Sequence, residues 1–243
     1  MTTEPELLPL GIDGILVRFA RILTEDANAK ALRFRDQVQS AGLPGVTEVA
    51  SSLTSVRIGF DPTETDRQTV TEAIHPLINN VDASESDAKR LWRIPACFSP
   101  NHAPQLGEAA ALAGVSPDQA VAQITRQTTR VIAIGFAPGQ PYLGMLPDHW
   151  DIPRQSQLTE SLPRGALITA VRQLIIWAAD APTGWRHIGQ TAFRVYRPET
   201  STPFAFEPGD AVQFEAVSAA DFAAIQADPD GGARCEVLRC CQR

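Results

Sequence analysis

Cysteine is scarce in this chain and poorly spaced for a metal. Four are present, and Cys235, Cys240 and Cys241 crowd the last nine residues while Cys97 stands alone. There is no C-x-x-C pair, and Cys240-Cys241 is a poor zinc spacing. Free thiols on a C-terminal strand or tail are expected, and reduced thiols fit a cytoplasmic protein. The four histidines, His75, His102, His149 and His187, fall at no metal-ligand spacing either. No bound metal is expected. Clustered cations are also missing. The net charge is -7, with Arg18, Arg21, Arg33 and Arg35 set among acids, so a nucleic-acid partner is not expected. No apolar run reaches membrane-spanning length, and Met1–Glu6 has neither the basic nor the apolar region of a signal peptide. No P-loop occurs: Gly135–Gly139 places Pro138 where backbone amides would have to cradle phosphate. No G-x-S-x-G elbow occurs.

What remains is an ordinary folded composition, 44% hydrophobic and 20% charged over 243 residues, enough for one large or two small domains. The first ~90 residues alternate strands and helices. Leu7 to Leu10 and Gly14 to Phe19 read as strands. Thr24 opens a helix whose stripe is Ala27, Ala31, Phe34 and Val38, and Gly42 ends it. Val46 to Ala50 and Leu53 to Phe60 read as strands turned at Ser51-Ser52. Thr65 to Gln68 reads as a capping box for a helix carrying Val70, Ile74, Leu77 and Ile78. The sum is a small α+β domain, and the polar Asn79 to Asp87 reads as a linker. Leu91 to Phe98 begins the second part, and helices follow at Gln105 to Ala113 and from Ser116. From Thr128 onward, short apolar runs between Pro/Gly turns, Phe193 to Tyr196 among them, predict a barrel or sandwich.

Three segments could carry chemistry. Residues 134–147, IGFAPGQPYLGMLP, cannot be helical and read as a stiff loop, anchored by Phe136, Tyr142 and Leu143 with Gln140 near a cavity. Residues 182–191, PTGWRHIGQT, set Trp185, Arg186 and His187 between two glycines. Arg186 could clamp a carboxylate and His187 could move protons, or Trp185 could pack in the core with Arg186 solvated. Arg154 and Arg164 each follow a proline and could serve an anion site or form a charged rim.

Together these segments resemble the family of the 5-oxoprolinase B subunit, KipI and allophanate hydrolase subunit 1, whose pattern is a GF-x-PGFPYLGGL loop, PR, P-x-G, a Gln strand, PGGW-x-x-IGRT and PGD-x-V-x-F. Here it reads Gly135 to Gly144, Pro153-Arg154, Pro163 to Gly165, Gln173, Pro182 to Thr191, and Pro208 to Phe214. Pro44 to Val49 and Ile94 to Cys97 match its N-terminal half, so the likeness covers nearly the whole chain. The departures are Gln140 for phenylalanine, Gln190 for arginine, Thr183 for glycine, Arg164 for alanine, Gln173 to Trp177 for QTGIY, and Ile124-Thr125 for an H-T pair.

The resemblance implies an α+β ferredoxin-like domain over residues 1–88 and a mainly-β cyclophilin-like barrel over 89–243. It implies a homologous second subunit, a possible third, and ATP with Mg shared with a partner. The implied activity is ATP-dependent 5-oxoprolinase, with carboxyl transfer in urea or allophanate chemistry, or inhibition of a histidine kinase, as alternatives. The substrate would be a small carboxylate or amide. The site would draw its chemistry from His187, Gln173 and Gln190, and its binding from Gln140, Tyr142, Arg154, Arg164, Arg186 and Thr191.

Overall fold

A computed structural model describes residues 4–81, 88–228 and 230–238. The chain divides into two compact units at Asp87/Ala88.

The first unit holds β1 (Glu6–Leu10), β2 (Gly14–Arg18), α1 (Glu25–Ala41), β3 (Val46–Ser52), β4 (Ser55–Phe60) and α2 (Arg67–Asn79). Its sheet is antiparallel, in the order β1-β2-β4-β3. Thr24 caps α1 by accepting from the Ala27 amide, and Gly42 closes it in the left-handed conformation, as the sequence requires. The predicted stripe of Ala27, Ala31, Phe34 and Val38 is buried, and most of it meets Ile15, Val17, Val56 and Ile58. Full burial of each large apolar side chain contributes about 1.5–3 kcal/mol.

Local details differ from expectation. β3 runs through Ser51 and Ser52, and the turn falls at Leu53-Thr54 instead. The α2 cap is Asp66, whose carboxylate accepts from the Thr69 amide; Thr65 lies one residue too early for the expected box.

The second unit is a closed barrel. Its strands are β5 (Arg90–Cys97), β6 (Thr128–Ile134), β7 (Pro141–Gly144), β9 (Ala166–Ala170), β10 (Gln173–Ile176), β12 (Arg186–Gln190) and β13 (Ala211–Val217). They run β12-β9-β10-β7-β6-β13-β5, and a β12–β5 pairing at Gln190↔Cys97 closes the ring. β13 and β5 pair in parallel, so the barrel is mixed. Alternation sends Trp92, Ile94, Ala96, Val131, Leu143, Leu167, Leu174, Ile176, Val212 and Phe214 inward.

A separate two-stranded sheet, β8 (Thr159–Leu162) with β11 (Ala181–Thr183), accompanies a second small core on the outer side of the barrel wall. α3 (Leu106–Leu112) and α4 (Pro117–Arg126) precede β6, and Ser116 and Gln119 form the expected capping box on α4. α5 (Ala219–Ile225) and the edge strand β14 (Arg234–Val237) follow β13. Two expectations fail here. Phe193 to Tyr196 is not a strand and makes only one isolated bridge, Tyr196↔Phe204. The 134–147 segment is not all loop, because Pro141–Gly144 pairs with both β6 and β10. Cys235 lies on exposed β14, and Cys240 and Cys241 lie outside the described residues.

The PGD turn is structural. Asp210 is buried and accepts from Arg90 through Nε (2.9 Å) and Nη2 (2.5 Å), from Trp92 Nε1 (3.3 Å) and from the Glu207 amide (2.9 Å). A buried carboxylate with this many donors keeps its charge without an orphaned lone pair. No helix among the described residues is long and apolar enough to cross a membrane.

Candidate functional site

The outer face of the barrel wall gathers most of the candidate residues. β9 sends Ala166, Ile168 and Ala170 outward, and β10 sends out Ile175, with Trp177 just beyond its end. His187 pairs with Ile168 and Gln190 with Ala166, so both belong to that face. They are three residues apart, and strict alternation would separate them. A β-bulge at Ile188 restores the match: Gly189 opposes Leu167, and Ile188 turns into the barrel core.

His187 is 6% exposed, and its Nε2 has no hydrogen-bond partner among the described residues. Burial pushes its pKa below the ordinary 6.5; the Gly189 backbone and the Gln190 side chain oppose that shift, and His102 adds to it. Burial therefore favours the neutral imidazole and leaves one ring nitrogen buried without a partner among the described residues.

Gln190 straps the end of β12 to the Pro163–Gly165 turn, donating from Nε2 to the Arg164 carbonyl at 2.8 Å. The Thr191 amide donates to the Gly165 carbonyl (2.8 Å), and its hydroxyl accepts from the Phe193 amide. Gly165 sits at φ +81, and an added Cβ would lie 2.2 Å from the Thr191 carbonyl oxygen, so only glycine fits there. The Gly165 amide in turn donates to the Trp177 carbonyl at 2.8 Å. The Arg164 side chain is exposed, while its backbone amide is held by Asp180 Oδ1.

The Gly135–Gln140 loop lies on the same end of the wall. It is pinned by Gly135 N–Gln140 O and Gln140 N–Ala137 O, both 3.1 Å. Gln140 is fully buried, and its Oε1 accepts from the Ala178 amide at 3.3 Å. Phe136, expected as a core anchor, is 73% exposed and stacks on Trp177 with ring centroids 5.3 Å apart.

Trp185 organises a second group. Tyr142 meets it edge-on at 6.3 Å, and the Arg154 guanidinium lies 5.5 Å from its ring. Arg186 is 6% exposed and already engaged: Nε donates to Glu108 (2.8 Å) and Nη1 to the Pro153 carbonyl (2.5 Å). It ties α3 to the 152–155 segment rather than standing as a solvated charge. Gln105 and Gln155 complete this seam, bonding each other and the His187 and Trp185 backbones.

Gln173 stands apart. It is half-buried at the far end of β10, four residues and about 13 Å along the strand from Trp177.

Sequence reasoning overlooked Trp177, which lay in plain view at the end of QLIIW. It also overlooked the turn after β5. There the His102 ring is half-buried, 2.8 Å from Ser99 Oγ and 3.6 Å from Cys97 Sγ. The C-x-S-x-x-H spacing was the available signal. No group of three or more His, Cys, Asp or Glu among the described residues is placed to hold a metal.

With this geometry in hand, comparison with known proteins places the chain. The family model described as carboxyltransferase domain, subdomain C and D, matches residues 5–206. The chain belongs to that family. In sequence it is 26% identical to the 5-oxoprolinase B subunit of Bacillus subtilis (strain 168) over 240 residues, covering 93% of this chain and 98% of that protein. In structure it matches a solved protein designated TTHA0988 with TM-score 0.72 and 27% identity; the match covers 85% of this chain and 40% of that one. The K. lactis urea amidolyase matches with TM-score 0.73 at 16% identity, covering 96% of this chain and 16% of that one, which shows a shared fold alone. The chain thus spans nearly the whole length of the B. subtilis relative but only a minor part of the larger solved chains.

Proposed function

We propose that this chain is the B-type component of an ATP-dependent 5-oxoprolinase, opening the lactam of 5-oxoproline to glutamate together with a homologous second subunit and a third. The observation that carries the reading is the end-to-end similarity to a 5-oxoprolinase B subunit, 93% of one chain on 98% of the other.

The residues support an amide- or lactam-processing wall. His187 offers an imidazole whose buried Nε2 is unpaired among the described residues, a group that could take a proton from attacking water and return it to the leaving nitrogen once the wall admits the substrate. Gln190 braces the Arg164 turn, and the exposed Arg164 and Arg154 side chains are cations a substrate carboxylate could meet. Thr191 holds the turn and Tyr142 holds Trp185, so both position the wall. In the reaction the ring C–N bond breaks, the oxygen of water enters the new carboxylate, and both protons of that water end on the nitrogen, which leaves as the ammonium of glutamate. ATP with Mg is assigned to a surface shared with a partner. This chain has no P-loop.

A second reading, transfer of a carboxyl group in urea or allophanate chemistry, is favoured by the fold shared with urea amidolyase. The finer fold reading goes with the first. The β-α-β-β-α course with β1 paired beside β2 supports a ferredoxin-like N-terminal unit, and the closed wall supports a cyclophilin-like barrel. A cytoplasmic location accords with the reduced thiols expected from the cysteine pattern.

The deciding experiment is phosphate release by the native complex isolated with this chain as bait. Release that depends on 5-oxoproline is expected. Stimulation by urea instead would move the chain to the carboxyl-transfer reading. A captured histidine kinase without subunit partners would overturn both.

A further inference from the structure

Two hydrogen-bond donors are buried without acceptors where the Gly135–Gln140 loop meets residues 177–178. They are Gln140 Nε2 and Trp177 Nε1, neither of which has a partner among the described residues. The loop and the strand end are joined at two points, the Phe136 ring on the Trp177 ring and Gln140 Oε1 on the Ala178 amide. The antiparallel register Leu174↔Leu143, Ile175↔Tyr142, continued two positions past the strand pairing, sets Trp177 across from Gln140. Because Gln140 Oε1 is already used, what the amide has left to offer is its N–H, and an indole nitrogen is a donor only. Buried donors of this kind call for an acceptor.

Charge narrows the choice. Both donors are neutral, and a carboxylate held by neutral donors alone would be stripped of water without a counter-ion, whereas a carbonyl oxygen loses much less. The cation at hand is Arg164, exposed and one residue from Gly165, whose amide bonds the Trp177 carbonyl.

Resting on the reading of this wall as a substrate site, we propose that Gln140 Nε2 and Trp177 Nε1 together receive the neutral carbonyl oxygen of a lactam, amide or ureido group beneath the Phe136 ring. Any carboxylate on the same ligand points outward to Arg164. Phe136 is the movable cover: its side chain faces solvent, and its backbone is held at φ 70, a left-handed conformation disfavoured for a bulky residue.

The test is an NMR titration of the full chain with three probes: 2-pyrrolidinone (lactam without carboxylate), acetate (carboxylate without lactam) and 5-oxoproline (both). Wild type should bind 2-pyrrolidinone more tightly than acetate. Trp177→Phe keeps the ring and removes the N–H; Gln140→Met keeps the length and removes the amide. Each should weaken 2-pyrrolidinone binding about tenfold, the loss expected for one hydrogen bond. Arg164→Ala should leave 2-pyrrolidinone unchanged and weaken 5-oxoproline. Phe136→Ala should speed probe exchange. Thermal unfolding confirms that each variant is folded. The receptor is overturned if wild type ignores 2-pyrrolidinone, or if a folded Trp177→Phe or Gln140→Met variant binds it as wild type does. It is also overturned if the complex turns over 5-oxoproline with an unchanged KM in both variants, which leaves the assignment of the complex standing. Donor-dependent 2-pyrrolidinone binding in a chain whose complex ignores 5-oxoproline upholds the receptor and removes only that assignment.

Discussion

His187 and Gln190 face the same side of β12 because Ile188 is bulged out of register between them. The arrangement puts a neutral imidazole and a carboxamide on one wall, and it turns the residue between them into the core. His187 is buried with its pKa held below 6.5, so the unfolded chain binds a proton there more readily than the native one. Its contribution is fully present above pH 6.5 and is lost as the pH falls from there toward the depressed native value. Urea unfolding at pH 7.5 and pH 5.5 should show lower stability at the acid end. A His187→Gln variant should show a smaller difference, and an unchanged difference would remove His187 as the cause.

Trp185 is buried against Leu162, Ile168 and Ile175, with Tyr142 on its edge. Trp185→Ala should cost about 3–5 kcal/mol of unfolding free energy in chemical denaturation. Ready access of an acrylamide quencher to this ring, read in a variant that keeps Trp185 as its sole tryptophan, would contradict the packing.

Asp210 holds Arg90, Trp92 and the Glu207 amide together at the start of β13. Removing one member of such a cluster orphans the others, so Asp210→Ala should destabilise by about 3 kcal/mol or more. Replacing the partly exposed Arg234–Glu215 pair by alanines should change stability by less than about 1 kcal/mol. Equal losses in the two variants would mean the Asp210 cluster is no more than a surface contact.

The β9–β10 turn is built from Val171 (φ 45) and Arg172 (φ 63), both left-handed and neither a glycine. The turn is held from outside, by Val171 N–Ile152 O, Arg172 N–Trp150 O and Arg172 Nε–Leu146 O, each 2.8–3.0 Å. A β-branched residue is strained there. Val171→Asn, which tolerates that conformation and leaves the Arg172 anchors in place, should raise stability by about 0.5–1 kcal/mol and Tm by a few degrees. A lower Tm would show that the packing of the Val171 side chain outweighs the strain.

Periodicity carried the first unit and the strand-rich second part because each apolar stripe repeats at the spacing of its element. Ala27 to Val38 on α1 and Ile15 to Val17 on β2 needed nothing from afar. What the sequence withheld was set by distant partners. Pro141–Gly144 looked like loop because three prolines crowd it, yet β6 and β10 supply its pairing from either side. Arg186 looked like a ligand clamp or a surface charge, and only α3, about 80 positions away, reveals the Glu108 that takes it. Phe136 looked like an anchor because aromatics usually bury, and its left-handed backbone instead turns it outward. Trp177 was passed over as one more apolar strand residue; that its indole N–H lacks an acceptor is a property of the folded neighbourhood.

The strand that opens the second unit is also the one that closes it. β5 finds its partners in β12, β13 and β14, and its Arg90 grips an aspartate 120 positions downstream. Pairing of such sequence separation raises contact order and slows folding. During synthesis the first unit can complete itself while β5 waits, a bare strand edge, until the last third of the chain leaves the ribosome. The interval in which that edge is open is the window in which this molecule is most exposed to wrong partners, and the one in which a chaperone would matter most.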